Sequence, residues 1–225
     1  MLSIVIPTYN EASEIKETIH ALQKHLAGKE YELIVSDDGS SDATVTLVKE
    51  LGIKVLENRH LGKGAAVKAG MLAATGDKIV FMDADLSTPL TELAALLISL
   101  DRGADIAIGS RAKKGAAITL HQPWWREGIG RLFNLFIQIL ILPGIADTQC
   151  GFKAFKRDAA KKLVSLQKLD GFIFDVEILY LARKQNYKID EIPVMWHNSN
   201  DSRVNVLREL LSVIFDVLRI RIIHK

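Results

Sequence analysis

The chain has 225 residues, 29 lysines and arginines against 27 aspartates and glutamates, and a formal net charge of +2, which argues against nucleic-acid binding through global charge. With 48% apolar residues it is not a disordered chain, and its length suffices for one large domain with a real core. A single cysteine, Cys150, excludes an intrachain disulfide, no His or Cys spacing fits zinc, and mean hydropathy is slightly positive at +0.14 without a run of about 18 apolar residues to span a bilayer.

Leu2 to Ile6 predicts a buried strand. It starts directly after Met1, with no basic segment, apolar stretch and cleavage site, so the expectation is a cytosolic protein without a secretory signal. Ile15, Ile19, Leu22 and Leu26 then fall on one helical face, and Leu33 to Val35 gives a second strand. Ser40, Ser41 and Asp42 are cap-type residues before a helix carrying Val45 and Val48. A weaker third strand at Ile53 to Leu56 precedes a small-residue helical face of Val67, Gly70, Met71 and Ala74. A fourth strand at Ile79 to Met82, a helix over Pro89 to Leu100 and a fifth strand at Ile106 to Ile108 complete the first half. Strands joined by crossover helices run parallel, so the expected fold is α/β: a doubly wound, mostly parallel sheet with helices on both faces.

After Gly109 the rhythm changes. A basic loop (Arg111, Lys113, Lys114) and the Trp124-Trp125 pair lead into an apolar stretch, Leu132 to Leu142. Strands at Phe152 to Phe155 and Ile189 to Val194, helices near Asp158 to Val164 and Asp175 to Lys184, and a long helix from about Val204 follow. The expectation is a single domain over 1–225, with a nucleotide-binding half (1–110) and an acceptor- and membrane-facing half (111–225).

In such a sheet ligands bind at the carboxyl ends of the strands. Pro7-Thr8-Tyr9-Asn10-Glu11 follows the first strand, Asp37-Asp38-Gly39-Ser40 the second and Asp83-Ala84-Asp85 the fourth, so all three polar clusters are expected on one edge. Helix capping accounts for Asp42 and stays open for Asp37. Asp83 and Asp85 need another role, because Thr88 with Pro89 at the first helical position is expected to start the next helix. Carboxylates at i and i+2 on an extended segment point the same way and call for a cation between them. Oxygen ligands without His or Cys select Mg2+ or Mn2+, which keep positions for substrate phosphates. Gly62-Lys63-Gly64 lacks the Walker ending and follows the third strand, so its glycines are read as a tight helix entry with Lys63 near the nucleotide edge.

These motifs, with Val35 to Asp42 and Gly109-Ser110-Arg111, resemble the family 2 inverting glycosyltransferases of GT-A fold, and the resemblance covers nearly the whole chain. Asp147 to Lys153 and Phe174-Asp175-Val176-Glu177 further resemble the polyprenyl-phosphate branch, especially the dolichyl-phosphate glucosyltransferases, with the mannose synthases as close cousins. The resemblance implies that Pro7, Tyr9 and Glu11 line the nucleoside pocket, with Asn10, Asp37 and Lys63 nearby, and that Asp38 contacts the base. Asp83, Ala84 and Asp85 would bracket the ribose and diphosphate. Asp85 would bind the metal, with Ser87 where the mannose synthases carry a longer Gln. Arg111, Arg131 and Arg203 would neutralise donor and acceptor phosphates.

The implied reaction moves a hexose, glucose from UDP-glucose in the favoured reading, to a polyprenyl phosphate. Because that acceptor is already ionised at neutral pH, the site should be richer in cations than in bases. Arg111, Arg131, Lys153 and Arg203 fit, Asp147 and Asp175 would bind sugar hydroxyls or orient arginines, and no base is assigned. Leu132 to Leu142 spans only about 16 Å as a helix and, behind Trp124, Trp125, Arg126 and Arg131, is expected to lie on a membrane surface. The stripe Leu207, Leu210, Leu211, Ile214, Val217 and Leu218 is divided between that role and packing on the sheet or a second subunit. The expected location is peripheral, on the inner face of a membrane, with a homo-oligomer or membrane-protein partner left open. The alternatives are a GDP-mannose donor, an aspartate-based phosphatase suggested by Ile79 to Asp85, and a non-catalytic nucleotide-binding module at a membrane.

Overall fold

The computed structural model describes residues 1–119, 124–197 and 206–225; for 124–127, 131 and 206–214 it describes the backbone alone. The elements in chain order are β1 (Leu2–Thr8), α1 (Ile15–His25), β2 (Tyr31–Asp37), α2 (Thr44–Glu50), β3 (Lys54–Glu57), α3 (Lys63–Ala73), β4 (Lys78–Met82), α4 (Leu93–Asp101) and β5 (Ile106–Ser110). There follow β6 (Ala117–Ile118), α5 (Trp124–Leu140), β7 (Phe152–Lys156), α6 (Arg157–Leu166), α7 (Phe174–Lys184), β8 (Ile189–Pro193), β9 (Met195–Trp196) and α8 (Val206–Ile223).

Among the described residues, seven strands form one sheet in the order β3-β2-β1-β4-β7-β5-β8, and β6 pairs with β9 in a separate two-stranded ribbon. The first half builds a parallel set, with Ile4 opposite Leu33 on β2 and Val80 on β4. The fifth strand does not join β4 directly. β7 inserts between β4 and β5, antiparallel to both, with Lys153 opposite Phe81 on one side and Ile108 on the other. The two halves of the sequence therefore share one sheet.

Because side chains alternate along a strand, the central strands are apolar throughout and feed two cores. Ile4, Ile6, Val35, Val80, Met82 and Phe152 face one core, closed by Ile15, Ile19, Leu22 and Leu26 of the α1 region and Leu93, Leu96 and Leu100 of α4. Val5, Ile34, Ile79, Phe81, Ile108 and Phe155 face the other, under α3, α6 and α7. The α1 face is the one its periodicity predicts.

Two expectations need correction. Pro89 is extended (φ −58°, ψ 145°), and the helix begins after it with a 3-10 turn at Leu90–Glu92 and no side-chain cap, so Thr88-Pro89 does not start it as expected. The apolar stretch begins within the longer α5 and runs two residues past its end at Leu140, and only part of its surface is open to a membrane. Phe133, Ile137 and Ile141 are buried in the core, while Leu132, Leu135 and Ile139 are exposed on the other side. The C-terminal helix divides the same way, with Val217 and Ile220 buried and Phe215, Leu218 and Ile222 exposed. Leu207, Leu210, Leu211 and Ile214 lie among the residues described by backbone alone.

Candidate active site

The carboxyl ends of β2, β1 and β4 are neighbours on one edge, and the three polar clusters follow them as the sequence predicts. The chain leaves β1 towards β2 on one side and leaves β4 towards β5 on the other, so the connections diverge between β1 and β4 and open a crevice there.

Two of the expected donor contacts serve the loops instead. The Asp37 carboxylate is buried and accepts bonds from Thr8 Oγ1 (2.9 Å), Gly39 N (3.0 Å), Ser40 N (2.8 Å) and Ser40 Oγ (2.5 Å). Asp37 thus organises the β2–α2 loop. Asn10, at φ +57°, accepts with Oδ1 from the Ser41 and Asp42 backbone N–H groups, stitching the β1–α1 loop to it. The Glu11 N–H donates to Thr44 Oγ1 at 2.8 Å, and its carbonyl accepts from Glu14 and Ile15 at the start of α1. Pro7 is buried within β1 opposite Ser36.

Asp38 is buried as well, and its carboxylate accepts from the backbone N–H of Leu61 (2.9 Å) and Gly62 (3.0 Å). It also faces His60 Nδ1 at 2.8 Å. The His60 ring stacks on Tyr9 with centroids 4.2 Å apart and planes 17° from parallel. Gly62 allows this loop to enter α3. Its φ is +123°, and a Cβ there would lie 2.5 Å from the Asp170 carbonyl oxygen. The glycine motif is therefore a close-packed helix entry, and it delivers Lys63 to the edge.

Lys63 Nζ pairs with Asp83 Oδ1 at 2.6 Å. Burial opposes its charge, but Asp83, Asp175 and Asp85 outweigh that and raise its pKa above the ordinary lysine value. The extended-segment premise fails here: Asp83 follows the last residue of β4, and Ala84 and Asp85 form a turn, with Leu86 at φ +52°. That left-handed residue is uncommon for a bulky side chain and folds Ser87 back onto Asp85. Ser87 N and Oγ donate to the Asp85 carboxylate at 2.9 and 2.6 Å. Ala84 is buried, and its carbonyl accepts the Thr18 hydroxyl. Asp83 meets a cation, the Lys63 ammonium, and Asp85 adds to the negative field that this ammonium sits in. Among the described residues no group of three or more His, Cys, Asp or Glu side chains could hold a metal, so Asp85 and Ser87 would need substrate oxygens to complete a site.

The second half closes the edge. Asp83 N donates to the Gly151 carbonyl at 3.1 Å. Arg111 grips Asp147 through Nε (2.7 Å) and Nη2 (3.0 Å), and its backbone N–H adds a third bond (2.9 Å). Burial raises the Asp147 carboxyl pKa, but the Arg111 charge and hydrogen bonds outweigh it and hold the carboxyl below the usual range. Trp196 lies 5.4 Å from the Arg111 guanidinium, a cation–π contact. Asp147 is thus an arginine-orienting group, one of its two expected roles.

Lys153 corrects its expected role. It is buried, bonded to Asp175 Oδ1 (2.5 Å) and the Cys150 carbonyl (2.7 Å), and sits 5.1 Å from the Phe81 ring. It is an internal counter-charge beneath the site, not a cation open to an acceptor phosphate. Burial pushes the Asp175 pKa up, more than Lys153 and Lys63 pull it down. Arg131 lies on α5 with its side chain outside the described residues, and Arg203 lies outside them altogether. β9 is tied to the Asp85–Ser87 turn, because His197 N, just after it, donates to the Ser87 carbonyl at 2.8 Å. His60, Gly151 and Trp196 were missed. Only Gly151 carried a signal, as the glycine of the Asp147 to Lys153 motif.

Residues 3–164 match the family described as Glycosyl transferase family 2. The chain is 32% identical over 243 residues to a dolichyl-phosphate beta-glucosyltransferase of Trichomonas vaginalis, covering 100% of this chain and 74% of the relative. It is 35% identical over 226 residues to the dolichyl-phosphate beta-glucosyltransferase of Drosophila melanogaster, covering 90% of this chain and 69% of the relative. In fold it matches the GT-A structure of glucosyl-3-phosphoglycerate synthase from Mycobacterium tuberculosis, crystallised with Mn2+, UDP and glucosyl-3-phosphoglycerate. The TM-score is 0.73 at 22% identity, over 98% of this chain and 78% of that one.

Proposed function

The chain belongs to glycosyltransferase family 2, and from that premise we propose that it transfers a glucosyl unit from UDP-glucose to the phosphate of a dolichyl-type polyprenyl lipid, with inversion. One observation carries the reading. Asp83 is bonded from both halves of the chain, by Lys63 Nζ at 2.6 Å from its Oδ1 and through its N–H to the Gly151 carbonyl at 3.1 Å, so the proposed donor and acceptor elements meet at one residue. Similarity to the dolichyl-phosphate glucosyltransferases over the whole chain supports the same sugar and acceptor. The family and the position of the Asp83 strand in the sheet set aside the phosphatase alternative.

Asp85 and Ser87 offer only oxygen, already 2.6 Å apart, which suits Mg2+ or Mn2+ sharing its remaining positions with the donor diphosphate. The ion would supply charge stabilisation to the departing diphosphate. Tyr9 and Asp38 would hold the nucleoside, and Lys63 the diphosphate. Arg111, kept in place by Asp147, would hold a phosphate of donor or acceptor, helped by Arg131 and Arg203. The lipid phosphate, with a second pKa of about 6, needs no base from the protein. Its oxygen bonds to the anomeric carbon as the bond from that carbon to the UDP oxygen breaks, and the electron pair leaves on UDP.

The chain acts as a single domain, residues 1–110 binding the donor and 111–225 meeting the acceptor. No helix among the described residues is long and apolar enough to cross a membrane. The exposed stripes of α5 and α8 would instead rest on the inner face of the membrane that holds the acceptor. A panel of UDP-glucose, UDP-galactose and GDP-mannose with Mg2+ or Mn2+ and a short polyprenyl phosphate tests the assignment by lipid-phase product. UDP-glucose should be preferred. Preference for GDP-mannose would overturn the donor, and product without lipid would overturn the acceptor.

A further inference from the structure

We infer that His60 occupies the place of the donor's nucleobase when the site is empty, as a side-chain plug that must swing aside for the nucleotide to bind. The inference rests on the proposed nucleoside role of Tyr9 and Asp38. A base entering this crevice has two attachments on offer, a flat aromatic face at the end of β1 and a buried carboxylate at the end of β2. The imidazole of His60 uses both. Its ring lies on Tyr9 at 4.2 Å and 17°. Its Nδ1 faces two oxygens of Asp38, the carboxylate Oδ2 at 2.8 Å and the carbonyl at 3.0 Å. Both oxygens are acceptors, so Nδ1 carries the proton and donates, as a base N–H would.

The surroundings confine the motion to the side chain. Asn58 N donates to the Asp37 carbonyl at 2.9 Å, and its Nδ2 bonds the same oxygen at 2.9 Å. Leu61 N and Gly62 N are held by the Asp38 carboxylate. The backbone is thus pinned on both sides of His60, while the His60 side chain is 59% exposed and has solvent to turn into. When it leaves, Asp38 keeps its bonds to Leu61 and Gly62, and Oδ2 regains the acceptor site that the imidazole had used.

A plug lowers apparent affinity by the fraction of molecules in which it is closed. A ring stack and one hydrogen bond at a half-open surface keep it closed in roughly four molecules of five, a cost of about five-fold in Kd. The experiment is calorimetric titration of wild type, His60→Ala and Tyr9→Ala with UDP and, separately, with pyrophosphate, all in Mn2+. The expected result is about five-fold tighter UDP binding by His60→Ala, unchanged pyrophosphate binding by that variant, and weaker UDP binding by Tyr9→Ala. Unchanged or weaker UDP binding by His60→Ala, with Tyr9→Ala still weak, would overturn the plug and leave the nucleoside site standing. An equal change for UDP and pyrophosphate would also overturn it, by placing the effect at the diphosphate. UDP binding indifferent to Tyr9→Ala would overturn the nucleoside site and the plug with it.

Discussion

A Cβ on Gly151 would lie 1.9 Å from Asp83 Oδ2, closer than any real Cβ contact, while the Gly151 carbonyl accepts the Asp83 N–H at 3.1 Å. The end of β4 is therefore moulded against a residue 68 positions later, and the site acid can stand where it does only because that residue has no side chain. Gly151→Ala should displace the Asp83 carboxylate from Lys63. The expected outcome is a fall in kcat/KM of at least tenfold, about 1.4 kcal/mol of lost transition-state stabilisation. Steady-state kinetics with UDP-glucose checks it, with circular dichroism melting as the control for folding.

Asp85 and Ser87 give a graded pair. Asp85→Ala removes the carboxylate that Ser87 bonds, so metal-dependent turnover should vanish while the protein stays folded. Ser87→Ala leaves the carboxylate and should shift the Mn2+ or Mg2+ concentration needed for half activity. Turnover against metal concentration reads both, and full activity of Asp85→Ala at saturating donor would remove Asp85 from the metal site.

The Arg111–Asp147 pair predicts a pH dependence. The folded Asp147 carboxyl has its pKa lowered, so the stability it contributes is present above the unfolded carboxylate pKa of about 4 and is lost as pH falls through the lower folded value. Asp147→Asn should cost about 1–3 kcal/mol at neutral pH and flatten the acid limb of the stability curve. Urea unfolding between pH 3 and 7 measures both. A variant curve parallel to wild type throughout would mean that the pair does not contribute in this way.

The two exposed helical stripes can be separated by substitution. Leu135→Glu with Ile139→Glu alters the outer face of α5 and spares Phe133, Ile137 and Ile141, which belong to the core. Leu218→Glu with Ile222→Glu does the same for α8. Each pair should weaken sedimentation with anionic liposomes severalfold, because charged groups replace apolar area at the acyl boundary. Turnover of a detergent-solubilised acceptor should change much less. Unchanged sedimentation of both pairs would remove these helices from the membrane contact.

The sequence alone determined what depends on local pattern. Alternating apolar strands and the Ile15, Ile19, Leu22 and Leu26 face follow from side-chain periodicity, and polar clusters at parallel strand ends follow from chain direction. The same logic led to Asp83, Asp85 and Lys63. Tertiary structure decided whatever depends on a distant partner. Register pairing slides β7 between β4 and β5, burying Lys153 against Phe81 and turning an expected phosphate ligand into an internal counter-charge. Asp37 is spent on its own loop, Asp147 on an arginine 36 residues away, and His60 on Tyr9 and Asp38. A motif states which groups are present near an edge. Which of them remain available to a ligand depends on hydrogen bonds and burial, and these exist only once remote segments have packed.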